Sequence, residues 1–394
     1  MAYKFLFSVL VLVFANMSFA EGDVKASSPV QSEHTVKVPE QTPLPENKTL
    51  FKLVGFGTLG VLNSSQSSGD YVLDSFMPTG AGRSDTWDTN NYSRIAAQLS
   101  AQFTPKVSAQ MQVISAYHSD GSYQPEVEWL NMKYAINNNT SLRLGRIELP
   151  TFLDSGNHDV GYSYVWAHLP TEIYHVLSIP NSDGIDASYR TQLGDGRHSF
   201  KALFGQNISD RPTSTTTSKD MWGIFDKVEY DQTTFNISYQ KRNSSYQNNL
   251  TGISNGWYES YDISLGMDYD PGNWFFISEW IQSQTRYKND AMYFSAGYRI
   301  KKFTPYFVHS QNSAGSYLSS STQNGSFVTR PIKSQRTESI GLRWDFMKNF
   351  DFKFQYDRVT LSDNSNGFLI NVPTNVLLHG DTFYAVSAVV DFLF

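Results

Sequence analysis

The 394-residue chain has no cysteine, which excludes a disulfide framework, a thiolate-bound metal and a cysteine nucleophile. Charge is scarce as well. Asp, Glu, Lys and Arg make up 17% of the residues, against about 25% in a typical soluble protein, too little for a coiled coil. Beyond residue 20 no run approaches the ~20 apolar residues of a membrane-spanning helix. Basic residues are outnumbered, 31 to 37, and the net charge of −6 argues against a nucleic-acid partner. No Gly-rich phosphate loop leads into a helix, no G-x-S-x-G elbow leads into one, and H-E-x-x-H does not occur, so no cofactor is expected. Aromatic residues, by contrast, are abundant at 15%, which excludes a disordered chain.

The first twenty residues have the three parts of a cleaved export signal. Lys4 supplies a positive start, Phe5 to Phe14 an apolar stretch, and Ser18-Phe19-Ala20 small residues at the cleavage positions. Ten apolar residues are too few to cross a bilayer, so the expected product is an exported chain without a spanning helix. Residues 21–49 are polar, contain Pro29, Pro39, Pro43 and Pro45, and lack any aromatic; they read as an extended linker.

From Leu50 to Phe394 the apolar period is two. Ile95, Ala97, Leu99 and Ala101 alternate with polar or small neighbours, as do Phe235, Ile237 and Tyr239. The same holds for Ile263, Leu265 and Met267, for Ile340, Leu342 and Trp344, and for Phe352, Phe354 and Tyr356. Such alternation places one face of each strand in an apolar medium and the other in water. Short polar turns fall near 104–106, 137–140, 192–197, 231–232, 270–273, 301–302 and 348–349. Longer Ser-, Asn-, Gly- and Thr-rich segments fall near 64–89, 118–125, 147–183, 207–220, 242–259, 286–290, 312–334 and 361–380. Seven short turns and eight long loops join about sixteen strands, the even count and two unlike rims of an outer-membrane barrel. A soluble sandwich also alternates, but here aromatics such as Phe103, Tyr134, Tyr230, Trp274, Tyr298 and Phe303 gather beside the short turns, as a lipid–water girdle requires. The expected fold is all-β: a transmembrane antiparallel β-barrel over residues 50–394.

The last strand carries Tyr384, Phe392 and a final Phe394 at alternate positions, and the first strand opens with Gly55-Phe56-Gly57. With the export signal and the long third loop, these features resemble Gram-negative outer-membrane porins of the general, trimeric superfamily. The resemblance implies a water-filled channel for passive diffusion of small hydrophilic solutes and ions. It also implies a homotrimer in lipid and lipopolysaccharide, with Tyr384, Phe392 and Phe394 as the signal read by the barrel assembly machinery. General porins start their first strand soon after the signal, so the linker at 21–49 is a departure.

The resemblance further implies that the third loop, about 147–183, folds inward and sets its acids against a basic wall. Glu148, Asp154, Asp159 and Glu172 are the loop candidates. Strand parity places Arg94, Arg143, Arg190 and Arg343 on the lumen wall, where opposed rows of charge would order water and disfavour apolar solutes. Inward aspartates such as Asp186, Asp262 and Asp357 leave the ion preference open. His158, His168 and His175 lie at spacings that match no helical metal pair, so no metal is expected there. Two other readings compete: a receptor or adhesin using the long loops, and a lipase-type barrel enzyme. For the second, His118 and His309 have no evident serine partner.

Overall fold

The computed structural model describes residues 50–394 except 75, 177–178, 286, 315–321, 324–325, 328–332, 364, 374–375, 377 and 379. The export signal at 1–20 and the linker at 21–49 lie outside the described residues. Sixteen long strands form the barrel. The first eight are β1 (Leu50–Ser64), β2 (Arg94–Gln102), β3 (Val107–Ala116), β4 (Glu126–Ala135), β5 (Thr140–Glu148), β6 (Asn181–Leu193), β7 (Gly196–Arg211) and β8 (Ser214–Tyr230). The rest are β9 (Thr233–Asn248), β10 (Ser254–Tyr269), β11 (Trp274–Gln284), β12 (Lys288–Tyr298), β13 (Phe303–Ala314), β14 (Gln335–Met347), β15 (Phe350–Leu361) and β16 (Thr382–Leu393). Each pairs antiparallel with the next, and β16 pairs with β1 in the register Gly57↔Phe392 and Val61↔Ala388, so the sheet closes and leaves no edge.

The alternation sorts as expected from the sequence. Ile237, Leu265, Ile340 and Phe354 are exposed on the outer face, while their neighbours Ser238, Ser264, Ser339 and Gln355 are buried inside. Leu144 at 65% and Ile340 at 60% exposure would be untenable in water in such numbers, but they suit hydrocarbon. Around the short-turn rim Phe103, Tyr134, Tyr230, Trp274, Tyr298 and Phe303 are exposed and form the girdle. No helix among the described residues is long and apolar enough to cross a membrane.

Two segments differ from expectation. Residues 207–220 and 242–259 were expected to be long loops, yet both are mostly strand: only 212–213 separate β7 from β8, and only 249–253 separate β9 from β10. These strands run to 16 or 17 residues, against the ~9–11 that span a bilayer, so their outer ends project beyond it. Both faces are then wet, and period-two hydrophobicity vanishes although the hydrogen-bond ladder continues.

Among the described residues three apolar clusters lie inside the barrel, the smallest of them Phe56, Ala96 and Ile114; the two larger ones join long loops to the wall. One joins third-loop residues Phe152, Tyr164, Trp166 and Ile173 to wall residues Phe225, Tyr293 and Tyr306. The other joins Tyr71 and Tyr92 of the first long loop, Leu369 and Leu378 of the last, and Phe383 of β16. First and last loops are pinned together by reciprocal backbone bonds between Asp70 and Ile370.

Candidate pore constriction

The third loop, 149–180, turns into the barrel; its described residues include two 3₁₀ turns, Ser155–Asn157 and Gly161–Ser163, and a short α-helix, α1 (Thr171–Tyr174). Its docking is chiefly polar at the edges and aromatic at the centre. Asn236 of β9 donates to the Thr151 carbonyl at 2.9 Å, and Trp166 Nε1–H donates to Ser295 Oγ of β12 at 2.8 Å. The Ala167 amide donates to both Tyr306 Oη and Gln355 Oε1 at 3.1 Å. Arg343 of β14 donates to the carbonyls of Tyr162 and Tyr164 at 2.9 and 3.0 Å, and Lys353 of β15 donates to that of Gly161 at 2.6 Å. A Cβ at Gly161 would sit 1.9 Å from Asp391 Oδ1, so the loop can approach the wall this closely only through glycine. The loop is thus fastened chiefly to the wall from β8 to β15, and on its other side it meets β2, where Arg94 donates to Tyr164 Oη, and β4, where Trp129 packs on His158.

The four acids expected to face the pore have four different surroundings. Asp159 lies 3.9 Å from Arg94, which also donates to Tyr164 Oη at 2.9 Å. Glu148, at the end of β5, takes two bonds from Arg143 at 2.9 and 3.0 Å and one from Lys201 at 3.2 Å. Asp154 is partly buried without a base in contact, and that burial pushes its carboxyl up to about 6 despite the attraction of Lys227. Glu172 does not face the lumen. It is buried in α1 and accepts bonds from Ser310, Gln335 and Thr337 at 2.5–2.6 Å, anchoring the helix to β13 and β14.

The expected basic wall also divides. Arg94 and Arg143 stand on the open side, each partly exposed, and Arg143 is shared between Glu148 and Asp186. Arg190 is exposed, and its amide binds the Asn139 carbonyl in a short turn, which places it at the short-turn rim, away from the third loop. Arg343 meets loop carbonyls rather than loop acids, and Asp345 and Asp351 take its remaining donors at 2.9 and 3.1 Å.

The three loop histidines are held by separate partners. His168 bonds Asp357 at 3.2 Å; burial lowers its basicity, but that carboxylate and the bond raise it further, so it lies above the ordinary value. His175 contacts the Leu73 carbonyl, and burial pulls it down. His158 stands beside Asp159 at 3.1 Å; burial would lower it, but Asp159 and Glu128 lift it above the usual range.

Above the loop, towards the long-loop rim, a cavity of about 650 Å³ opens between the third loop and β2 to β4, bounded by Arg94, Glu128, Asp159 and Arg211 among others.

No family model matches the sequence, and neither does any curated protein. Solved structures do resemble it in fold. The anion-selective porin from Comamonas acidovorans superposes with a TM-score of 0.56 at 12% identity, over 88% of this chain and 100% of the other. The outer membrane channel DcaP of Acinetobacter baumannii gives 0.52 at 10% identity, over 88% and 97%. The trimer form of OmpT, an outer membrane protein of Vibrio cholerae, gives 0.53 at 10% identity, over 88% and 100%.

The chain has the porin fold.

This is the kind of barrel that Gram-negative outer membranes hold. Within the porin fold, sequence parity missed three groups at the open side. Lys133 opposes Arg143 across β4 and β5, and Lys201 reaches Glu148 from β7. Both were legible, since Met132 and Tyr134 point outward beside Lys133, and Phe200 does beside Lys201. Glu128 was not legible. Between the pairs Gln112↔Trp129 and Val113↔Val127 it is an extra residue, a β-bulge that breaks the parity of β4.

Proposed function

We propose that the protein is an outer-membrane porin, a trimeric, water-filled channel for passive diffusion of small hydrophilic solutes and ions. The observation that carries this reading is the third loop, fastened chiefly to β8–β15 from within, beside a charged, partly exposed wall of Arg94, Lys133, Arg143 and Lys201 on β2 to β7. In this reading Asp159 and Glu148 are the acids of the constriction, Arg94 and Arg143 its bases, and the protein is not an enzyme. Asp159 meets Arg94 from the loop, while Glu148 and Arg143 pair along β5; charges lining a narrow aqueous passage hold ordered water and hinder apolar solutes, which lose hydration there without recovering it from the walls.

The test is electrical. The purified protein in a planar bilayer should give stable stepwise openings in high salt, and a silent membrane would overturn the reading. In a salt gradient, Asp159→Asn combined with Glu148→Gln should move the reversal potential toward anion preference. An unmoved potential would overturn the role of these two acids and leave the channel itself standing.

A further inference from the structure

Glu128, His158 and Asp159 each bring one ligand atom to a common point, with all three atoms within 4.8 Å of one another. We propose that this cluster binds a first-row divalent cation of the zinc class at the mouth of the constriction. A tetrahedral zinc site with N and O ligands at ~2.0–2.1 Å needs separations of about 3.3 Å; His158 and Asp159 already stand 3.1 Å apart, so the remaining separations must close by no more than about 1.5 Å.

Each ligand is prepared by its surroundings. His158 Nδ1 is engaged by the Ser155 carbonyl at 2.8 Å, which fixes the tautomer and turns Nε2 inward, the arrangement that metal-bound imidazoles commonly share. Nε2 already lies 3.1 Å from Asp159 Oδ2, so a metal would replace the proton between them. The other carboxylate oxygen, Oδ1, is 3.9 Å from Arg94, leaving Oδ2 as the ligand. Glu128 is oriented by Asn181 Nδ2–H at 3.5 Å, and it arrives only because of its bulge: regular alternation with Leu130 and Met132 would have turned it to lipid. Bulges recur where a strand must re-aim a side chain at a site. The two carboxylates face the guanidinium of Arg94, and the other near Glu128, Arg146, is paired with Asp183 at 2.8 and 3.0 Å, so the cluster keeps an excess of negative charge. A mixed N and O set selects zinc-class ions over the all-oxygen preference of calcium or magnesium. The cluster borders the 650 Å³ cavity, so an ion can enter from the long-loop rim and water can complete its coordination.

Binding stands on this geometry alone; its consequence for current rests on the porin reading. Titration calorimetry of the full-length, detergent-solubilised barrel with ZnCl2 should show one site per chain. His158→Ala and Glu128→Gln should each weaken it about tenfold or more, while His309→Ala on the outer face should not. Each variant is first shown to keep the heat-modifiable mobility of a folded barrel. No zinc uptake by the parent protein, or uptake unchanged in both variants, overturns the site. In bilayers, zinc should lower the conductance of the parent and spare His158→Ala. Binding without any change in current supports the site and overturns its position on the conduction path. A silent membrane would tell against the porin reading and leave the calorimetric result untouched.

Discussion

Glu172 shows how far a residue's identity underdetermines its role. As an acid in the third loop it was expected to face the pore, yet three donors from the wall enclose it and make it an anchor. Glu172→Ala should therefore cost about 2–4 kcal/mol by stranding those donors, read as a lower denaturation midpoint, while the reversal potential stays put. Asp154 behaves differently. Its folded value near 6 exceeds the ordinary 3.8, so the native state holds a proton that the unfolded chain has already lost. Stability thus falls as pH climbs from about 4 to 6 and levels off above. Asp154→Asn should raise stability by about 1–3 kcal/mol at pH 7.5 and by nothing at pH 3.5, checked by denaturation at the two pH values.

At the scale of elements, alternation carries strands only where one face meets an apolar medium. Sequence patterning placed β2, β14 and β15 well for that reason. It failed in the outer halves of β7 to β10, where Ser, Thr and Asn occupy both faces of hairpins surrounded by water. Such projections contribute little to the membrane-embedded ladder. Replacing 208–217 by a two-residue Asn-Gly turn should leave barrel assembly unchanged, as judged by heat-modifiable mobility on gels. Loss of the folded band would mean that the hairpin helps hold the wall.

For the molecule as a whole, closure depends on the seam between β1 and β16. Phe392 and Phe394 stack at 6.2 Å and lie over Gly57 and Gly55, where a Cβ would come within 2.4 and 2.2 Å of the respective rings. An aromatic ring covering a strand glycine on the neighbouring strand is a device for fixing register. Gly55→Val should destabilise the closed barrel by about 1–3 kcal/mol, seen as an earlier loss of the folded band on heating. The three residues expected to mark assembly, Tyr384, Phe392 and Phe394, share the outward face of β16, and we retain them as the proposed assembly signal.

The amino-acid order alone determined the closed β architecture, the strand count, the girdle and the inward side of most charged residues. These follow from a local rule, that neighbours on a strand point to opposite media. Tertiary structure alone decided that the third loop adheres chiefly to β8–β15, that Glu172 is an anchor, and that Glu128 turns inward to meet His158 and Asp159. Those outcomes depend on contacts between residues scores of positions apart and on one bulged residue, neither of which leaves a periodic trace in the chain.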